Sequence, residues 1–408
     1  MAPENSEIAT ASRLEEFFGG IGRHLKDRRK RESFAMYAFG ILGDGERKSA
    51  EPIAARACGD ESRTAAAHQK LLYFLAHSRW DDRAVRLDAA RYAIEALQER
   101  EPITTWIIDD TGFLKQGTHS VGVQRQYTGS AGKIANCQVG VSLAVANSFD
   151  QVAVDFELYL PASWIEDGAR RREARIPDDV QFKTKTELAL DMIRRAKAQG
   201  IPGDVILADG AYGDSTHFRN AVRELGFDFA VGVLPTLGVL RLDRNDRINT
   251  KPQSVAEVLS ALPKKAFRKV TWRGGTKGKL CGRFAFVRVH TTHDDGIPLV
   301  FREPLWLVAE WPDGDEKPSK FALTTLPRRM SKKQIVRLLK ERWRTERMYE
   351  DLKGELGLDH FEGRSFPGWH HHVSVVLCCY AFVVAERARG FPPSAFRTRR
   401  DGSLSVAA

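Results

Sequence analysis

The chain has 408 residues, of which 42% are hydrophobic and 28% charged, a balance that excludes a disordered or fibrous protein and leaves room for two or three domains. Its 63 lysines and arginines against 53 acidic residues give a net charge of +10, which favours a polyanionic partner. Five scattered cysteines without metal-ligand spacing indicate reduced thiols. The N-terminus is polar and the most apolar stretch, 373–385, is too short to span a bilayer, so we expect a cytoplasmic protein without a membrane partner.

Residues 12–100 have helical periodicity throughout and predict an all-α N-terminal domain. A basic run opens this region and includes Arg28, Arg29 and Lys30. Such a run is either a solvated helix face or a surface that presents positive charge to DNA. Both interpretations stay open here, and the three side chains are candidates for DNA binding.

From residue 103 the pattern changes to one that contains strands. The predicted elements, in chain order, are a strand at 103–108, a hairpin of alternating runs at 137–146 and 152–160, a helix from a capping box at Thr184 to Gly200, a strand at 204–208, a helix at 215–225 and a strand at 227–233. This order is typical of a mixed α/β sheet flanked by helices, as in RNase H-like folds.

Residues 235–326 consist of short β-rich runs separated by Gly, Pro and Asp, which predicts a β-rich insertion domain. A capping box at Ser331 and Gln334 then starts a helix that we expect to end at Gly354 and Gly357, and an apolar helix follows at 369–389. We therefore predict a helical domain at 1–100, a core in two parts at 101–234 and 327–390, the insertion at 235–326 and a basic flexible tail at 391–408.

The helix that follows Ser331 carries an unusual stripe. Ile335, Leu338 and Leu339 mark its buried face. At about 100° per residue, the same face continues through four polar side chains, namely Arg342, Glu346, Tyr349 and Lys353. A core-facing stripe that becomes charged is costly unless its charges are paired or hold a ligand. Glu346 is therefore predicted to point into a site, flanked by two cations that can hold an anion.

Two more carboxylates are expected near Glu346. Asp109 ends the first predicted strand and Asp209 ends the strand predicted to lie beside it, and sites in open α/β sheets lie at such strand ends. The alternatives are that each is only a turn residue or helix cap, or that Asp110 and Asp214 take these roles. Strand alternation turns Asp109 and Asp110 to opposite faces, so one of the two at most points into the site.

Three carboxylates at one point repel one another unless divalent cations neutralise them. Oxygen-only ligands suit Mg²⁺, for which Mn²⁺ can substitute. Two such ions about 4 Å apart activate the attacking oxygen and stabilise the leaving oxygen in phosphodiester cleavage. The three positions thus predict a two-metal site that acts on nucleic acid, in keeping with the basic charge of the chain.

The helix resembles the signature helix of DDE-type insertion-sequence transposases of the YREK branch. In that signature a Tyr, an Arg, a Glu and a Lys are separated by two, three and six residues. Arg342, Glu346 and Lys353 stand at those spacings, and the Arg-Trp-Arg opening also matches. Leu339 stands where the family has its Tyr, and Tyr349 is a nearby substitute for the phosphate contact of that Tyr.

The rest of the family pattern follows in order over about 103–365. Asp109, with Thr111 two residues later, and Asp209, after an apolar strand, are similar to the two Asp motifs of the family. In some relatives an insertion-domain Trp stacks on a flipped base. Phe321 stands at that position here, either as a stacking face or as a core residue.

The resemblance implies a cut-and-paste DNA transposase with an RNase H-like core. Asp109, Asp209 and Glu346 would be its catalytic residues and would bind two Mg²⁺ ions. A strand cut at the element end would supply the 3′-hydroxyl that attacks the other strand or the target. The partners implied are terminal inverted repeats and target DNA, bound by a homodimer. The implied DNA contacts near the site are Arg342, Arg344, Lys353, Tyr349 and Phe321. Lys115, close to Asp109 in sequence, is a candidate phosphate contact or equally a solvated charge.

Two other functions remain open at this stage. An RNase H-like nuclease would cut DNA without strand transfer. A non-catalytic regulator derived from a transposase would bind DNA only, and the presence of all three acidic residues argues against it.

Overall fold

The computed structural model describes residues 3–275, 278–293, 296, 302–390, 396–398 and 404–406. The chain folds as two compact units. The first unit consists of Met1–Ile103, Asp110–Thr184 and Arg344–Ala408, and the second consists of Thr104–Asp109 and Lys185–Trp343. The five-part domain division predicted above remains a prediction.

The helices are α1 (Pro3–Ile21), α2 (Arg28–Leu42), α3 (Ala50–Cys58), α4 (Glu61–Ala76), α5 (Asp82–Gln98), α6 (Ala162–Glu166), α7 (Gly168–Ala174), α8 (Lys185–Ala198), α9 (Gly210–Gly213), α10 (Thr216–Glu224), α11 (Val255–Ser260), α12 (Lys332–Glu341), α13 (Trp343–Glu350) and α14 (Phe366–Ala388). Short 3₁₀ turns lie at Gly22–Leu25 and Lys264–Ala266, and a π-helical turn lies at Asp351–Glu355.

The strands are β1 (Thr105–Leu114), β2 (Gln124–Thr128), β3 (Lys133–Ala146), β4 (Gln151–Tyr159), β5 (Val205–Ala208), β6 (Asp228–Gly232), β7 (Gly238–Arg241), β8 (Gln253–Ser254), β9 (Arg268–Gly275), β10 (Gly278–Thr291), β11 (Leu305–Trp311), β12 (Lys320–Thr324), β13 (Phe396–Thr398) and β14 (Leu404–Val406). The predicted fold class, a mixed α/β sheet with a helical N-terminal region and a β-rich stretch at 235–326, is confirmed.

In the first unit, the long helix α14 forms the centre of the core. It packs against α5, α2, α4 and β4, and nearly every one of its side chains is buried. It is longer than the apolar stretch at 373–385, because three buried histidines extend it, and at 23 residues it has the length and composition of a membrane span. However, 94% of its most apolar 18-residue stretch is buried inside the structure, as in the core helix of a globular protein.

A buried charge cluster joins α5 to the predicted hairpin, which is confirmed as β3 and β4. The side chain of Arg86 on α5 is 1% exposed and lies 2.7 Å from Asp82 and 3.1 Å from Asp155 on β4, with Glu157 also nearby. Burial by itself lowers the pKa of Arg86, but the three carboxylates outweigh burial and raise it. The guanidinium is therefore a permanent positive charge that holds the helix to the strand.

In the second unit, the sheet begins with parallel strands and continues with antiparallel ones. The first half of β1 pairs in parallel with β5, and β5 in parallel with β6. Next come β12, β11, β10, β7 and β8, all antiparallel to their neighbours, while β9 pairs with the outer part of β10. Helix α12 starts at the predicted capping box, in which the Ser331 hydroxyl accepts from the Gln334 amide.

The first strand differs from its prediction. We expected it to end at residue 108, but β1 continues to Leu114, so Asp109 and Asp110 lie within the strand. The reason is that Thr111, Gly112 and Phe113 beyond the two acids are buried and continue the extended chain. Of the predicted tail at 391–408, the structure describes β13 and β14, which pair in an antiparallel manner, and the rest lies outside the described residues.

Replacing Arg86 tests the buried cluster. Arg86→Ala leaves Asp155 and Glu157 without their buried cation, and we expect it to lower the free energy of unfolding by about 3–5 kcal/mol, measured by urea unfolding followed by circular dichroism. Arg83 is the matched control, because it pairs with the same Glu157 at 2.9 Å while its side chain is 57% exposed. Arg83→Ala should cost less than about 1 kcal/mol, and equal losses for the two variants would contradict the prediction.

Candidate active site

Asp109 lies in β1, and Asp209 is the first residue after the neighbouring strand β5, with its backbone still extended. Ile107 on β1 pairs with Leu207 on β5, and each aspartate follows two residues later. Because side chains alternate along a strand, two residues onward is the same face in both cases. The register therefore indicates that these two predicted site residues share one face.

A helix cap and the close packing of Gly210 against Gly232 fix the position of Asp209. Its Oδ1 accepts a hydrogen bond of 2.9 Å from the amide of Ala211 and so caps α9. Helix α9 packs on β6, where a Cβ on Gly232 would lie only 2.8 Å from the amide nitrogen of Gly210. Asp209 is thus a helix cap, as one alternative held, and its side chain is half-buried rather than enclosed. Asp214, five residues later, accepts a hydrogen bond of 3.3 Å from the amide of Leu234 and so holds the chain just after β6.

The carboxylate of Asp109 is paired with Arg342. Asp109 is 9% exposed, and the distance from its Oδ2 to Nη1 of Arg342 is 2.8 Å. A buried carboxylate is stable only with such a partner. Arg342 was predicted to hold a phosphate, and here it neutralises the predicted metal ligand. Asp110, the alternative ligand, is half-buried on the same strand.

The donor chemistry of this aspartate pair fits a hard divalent cation. Carboxylate oxygens are the ligands that Mg²⁺ and Mn²⁺ prefer. Asp109 in β1 and Asp209 directly after β5 offer two carboxylates on one side of the sheet. Across the residues that the structure describes, no group of three or more His, Cys, Asp or Glu side chains is placed to hold a metal ion. The third predicted ligand, Glu346, belongs to the first unit.

The prediction that Glu346 faces the core is wrong, because its side chain is exposed. Counting 100° per residue assumes one regular helix, but α12 ends at Glu341, α13 begins at Trp343 and a π-helical turn follows. Ile335 is buried as predicted, whereas Leu338 and Leu339 are only half-buried. Among the described residues Glu346 is in no ion pair, so its carboxylate is available to a ligand.

Two predicted DNA contacts, Arg344 and Tyr349, hold this helix in place inside the first unit. The buried guanidinium of Arg344 donates to the carbonyls of Ser148 and Phe149 in the β3–β4 turn, at 2.5 and 3.1 Å. The hydroxyl of Tyr349 lies 2.6 Å from that of Ser142 on β3. These bonds hold α13 to the hairpin, and the DNA contacts of Arg344 and Tyr349 remain predictions.

The ammonium of Lys353 is also used inside the first unit. It donates to the hydroxyl of Thr111 at 2.8 Å, to the carbonyl of Gly112 at 2.7 Å and to the hydroxyl of Ser130 at 3.3 Å. Burial lowers the pKa of Lys353. No sequence pattern pointed to Ser130 or Ser142, since a serine far along the chain becomes a partner only through the fold.

Two further candidates have ordinary structural surroundings. Lys115 donates to the carbonyl of Phe361 at 2.6 Å, and burial lowers its pKa. Phe321 is half-buried in β12 opposite Ala309 on β11, a position that suits packing as well as stacking. Their DNA contacts stay predictions.

The basic run of the N-terminal region lies at the start of α2. Arg28 and Arg29 are exposed, and Arg28 pairs with Glu32 at 2.9 Å in the same helix. Lys30 donates to the carbonyl of Arg79 at 2.8 Å. This geometry suits a solvated helix face and also leaves Arg29 open to a phosphate.

Comparison with known proteins identifies the family of the chain. The family model described as DDE superfamily endonuclease matches residues 16–279, more than half of the chain. The match includes both aspartates and stops before the helix of Glu346. Endonucleases of this family generally use divalent metal ions. A probable transposase for insertion sequence element IS701 from Microchaete diplosiphon is 29% identical over 237 residues, which are 58% of this chain and 57% of that protein. The expected relation to insertion-sequence transposases of the DDE type is confirmed, and the YREK branch remains a prediction.

Replacing Arg342 tests the competition between arginine and metal for Asp109. In EDTA, Arg342→Gln removes the guanidinium beside the buried carboxylate of Asp109, and we expect a loss of about 1–3 kcal/mol in the free energy of unfolding. Added Mg²⁺ should then raise the melting temperature of the variant more than that of the wild type. Arg337→Gln is the control, because Arg337 lies on α12 with a 54% exposed side chain and a loose 4.0 Å pair to Glu341. An equal Mg²⁺ response in all three proteins would contradict the prediction.

Proposed function

The chain belongs to the DDE superfamily endonucleases, and on that premise we propose that it is a DNA transposase that cuts the ends of its element and joins them to target DNA. The observation that carries the proposal is the β1–β5 register, which puts Asp109 in β1 and Asp209 directly after β5 at the same level of the sheet. The exposed Glu346 supplies a third carboxylate. Its sequence spacing from Arg342 and from Lys353 is typical of such enzymes. The name of the IS701 relative favours a transposase over a simple nuclease.

In this proposal Asp109, Asp209 and Glu346 bind two Mg²⁺ ions, which when present lower the cost of the charge that develops on the transferred phosphate. Asp109 has to exchange its partner for this, because Arg342 occupies its Oδ2. The released guanidinium is then free to bind a phosphate oxygen beside the cut. The bracing bonds of Arg344 and Lys353 hold α13, and with it Glu346, in a fixed orientation.

Both proposed steps are phosphoryl transfers, and each exchanges one P–O bond for another. In the first, water attacks a phosphodiester at the element end, and the bond to the 3′-oxygen breaks and leaves a 3′-hydroxyl. In the second, that hydroxyl attacks a phosphodiester of the other strand or of the target. The proposed partners are therefore the terminal inverted repeats and target DNA in the cytoplasm. Two ends need two active sites, which implies a homodimer on DNA.

We also propose that residues 1–100 bind DNA outside the active site. The exposed Arg28 and Arg29 at the start of α2 support this role. Their side chains have room to approach a phosphate without disturbing the buried face of the helix.

Glu346→Gln tests the catalytic assignment. The amide keeps the shape of the side chain but removes the charge that a metal needs, so we expect cleavage in Mg²⁺ to fall by at least about 100-fold while binding to the element end is retained. Glu350→Gln is the matched control, one turn later on α13 and exposed, with a 3.2 Å pair to Arg347. Cleavage of labelled duplex DNA at the wild-type rate by Glu346→Gln would overturn the assignment.

Strand transfer separates a transposase from a nuclease. We expect the protein, incubated with Mg²⁺, a plasmid and duplexes that carry the inverted repeats flanking its gene, to join those duplexes to the plasmid. Duplexes that end in a 3′-deoxy nucleotide should be bound but not joined, because the attacking hydroxyl is missing. Cutting without any joined product would support the nuclease, and binding without cutting would support the regulator.

A further inference from the structure

The excess positive charge of the chain is concentrated in one short part of the sequence. Residues 258–293 contain no Asp or Glu and nine basic residues, against a net charge of +10 for the whole chain. The segment forms the 3₁₀ turn at Lys264–Ala266 and the antiparallel strands β9 and β10. Its basic residues are Lys264, Lys265, Arg268, Lys269, Arg273, Lys277, Lys279, Arg283 and Arg288. The remainder of the chain is close to neutral.

The sheet register places two of these cations side by side. Lys269 on β9 is directly opposite Arg283 on β10, and opposite residues share one face. Like charges in this arrangement repel each other. Lys269 is exposed, and the Nε of Arg283 is buried without a hydrogen-bond partner among the described residues. The ion pair that Arg283 makes in this part of the chain is long, 3.7 Å to the 81% exposed Asp313.

A third cation, Lys264, lies near the same aromatic ring as Arg283. Arg283 is opposite Trp311 on β11, and its guanidinium lies 4.9 Å from the centre of the indole. The ammonium of Lys264 lies 5.8 Å from the same ring. We name Lys264, Lys269 and Arg283 the ribbon cluster. Two cations at one ring, with a third opposite Arg283 on the adjacent strand, form a site that an anion would stabilise.

The shape of the ribbon favours a linear polyanion over a single small anion. A strand of about eight residues is roughly 26 Å long, a distance over which one strand of duplex DNA presents about eight phosphates. Lys265, Arg268 and Lys279 extend the exposed charge beyond the ribbon cluster. The segment contains no Asn, Gln, Asp or Glu, the side chains that read adenine and cytosine. Its chemistry is that of phosphate binding.

We propose that the ribbon cluster binds the phosphate backbone of duplex DNA independently of its sequence. The inference rests on the proposed function, since it assumes that DNA is the substrate of the chain. It adds a second contact surface in the 235–326 stretch, built on strands and separate from the aspartate pair. Such a surface holds flanking or target DNA while the active site acts on the element end.

The salt dependence of binding tests this surface. The full chain is titrated in EDTA onto a labelled duplex of random sequence, from about 50 to about 200 mM KCl, because the slope of log K against log salt counts phosphate contacts at about 0.9 each. We expect Lys264→Gln, Lys269→Gln and Arg283→Gln together to reduce the slope by about 2–3. The loss of affinity should be equal for an element-end duplex and for the random one.

A second triple variant is the matched control. Lys251, Lys317 and Arg329 are exposed cations of the same unit, and replacing them with Gln changes the net charge equally. Their slope should stay at the wild-type value. Arg283→Lys keeps the charge and should also keep the slope, which separates a charge effect from a folding defect.

The outcomes distinguish this inference from the proposed function. If the wild type binds DNA and the ribbon variant keeps its slope, the ribbon cluster is not a DNA surface and the proposed function stands. If the wild type binds no duplex at any salt concentration, the proposed function fails as well. A loss confined to the element-end duplex would overturn the sequence independence of the surface.

Discussion

The candidate active site depends on the carboxylate of Asp109. It is 9% exposed in a strand with mostly apolar neighbours, where a charge is costly unless a cation accompanies it. Arg342 meets that need with a 2.8 Å contact. A divalent ion would meet it equally, so the arginine and a metal are alternative partners of one oxygen. In the proposed function, metal binding at Asp109 would therefore release this guanidinium for a phosphate oxygen.

In the first unit, two charged side chains hold a helix in place instead of pairing with a carboxylate. Arg344 and Lys353 donate to backbone carbonyls of the β3–β4 turn and of β1, on either side of Glu346 along the chain. These bonds fix α13, and a carboxylate on a fixed helix loses little entropy when it binds a ligand. Two residues that the family pattern presents as phosphate contacts therefore have a structural use of their own. Their loss should displace Glu346 even where neither residue touches DNA.

Local patterns predicted the parts of the fold that local physics determines. The β3–β4 hairpin, the capping box at Ser331 and the strand that precedes Asp209 each follow from residues close together in sequence. The inward orientation of Glu346 was wrong because the break at Arg342 and the π-helical turn depend on packing that no helical count contains. The ribbon cluster was missed for a related reason, since Lys269 and Arg283 become neighbours only through the register of β9 with β10.

The two kinds of positive charge in this protein act over different distances. Arg342 acts at contact distance on a buried carboxylate, where salt screens little, so in the proposed function it would affect the energy of the reacting groups. The ribbon cluster is exposed, and beyond about 10 Å its field is screened at about 0.1 M salt, so it affects affinity and the rate of encounter. A chain whose net charge comes almost wholly from one β-ribbon can thus change its grip on DNA through that ribbon alone. The aspartate pair lies on other strands, at β1 and after β5, so its chemistry would be changed less.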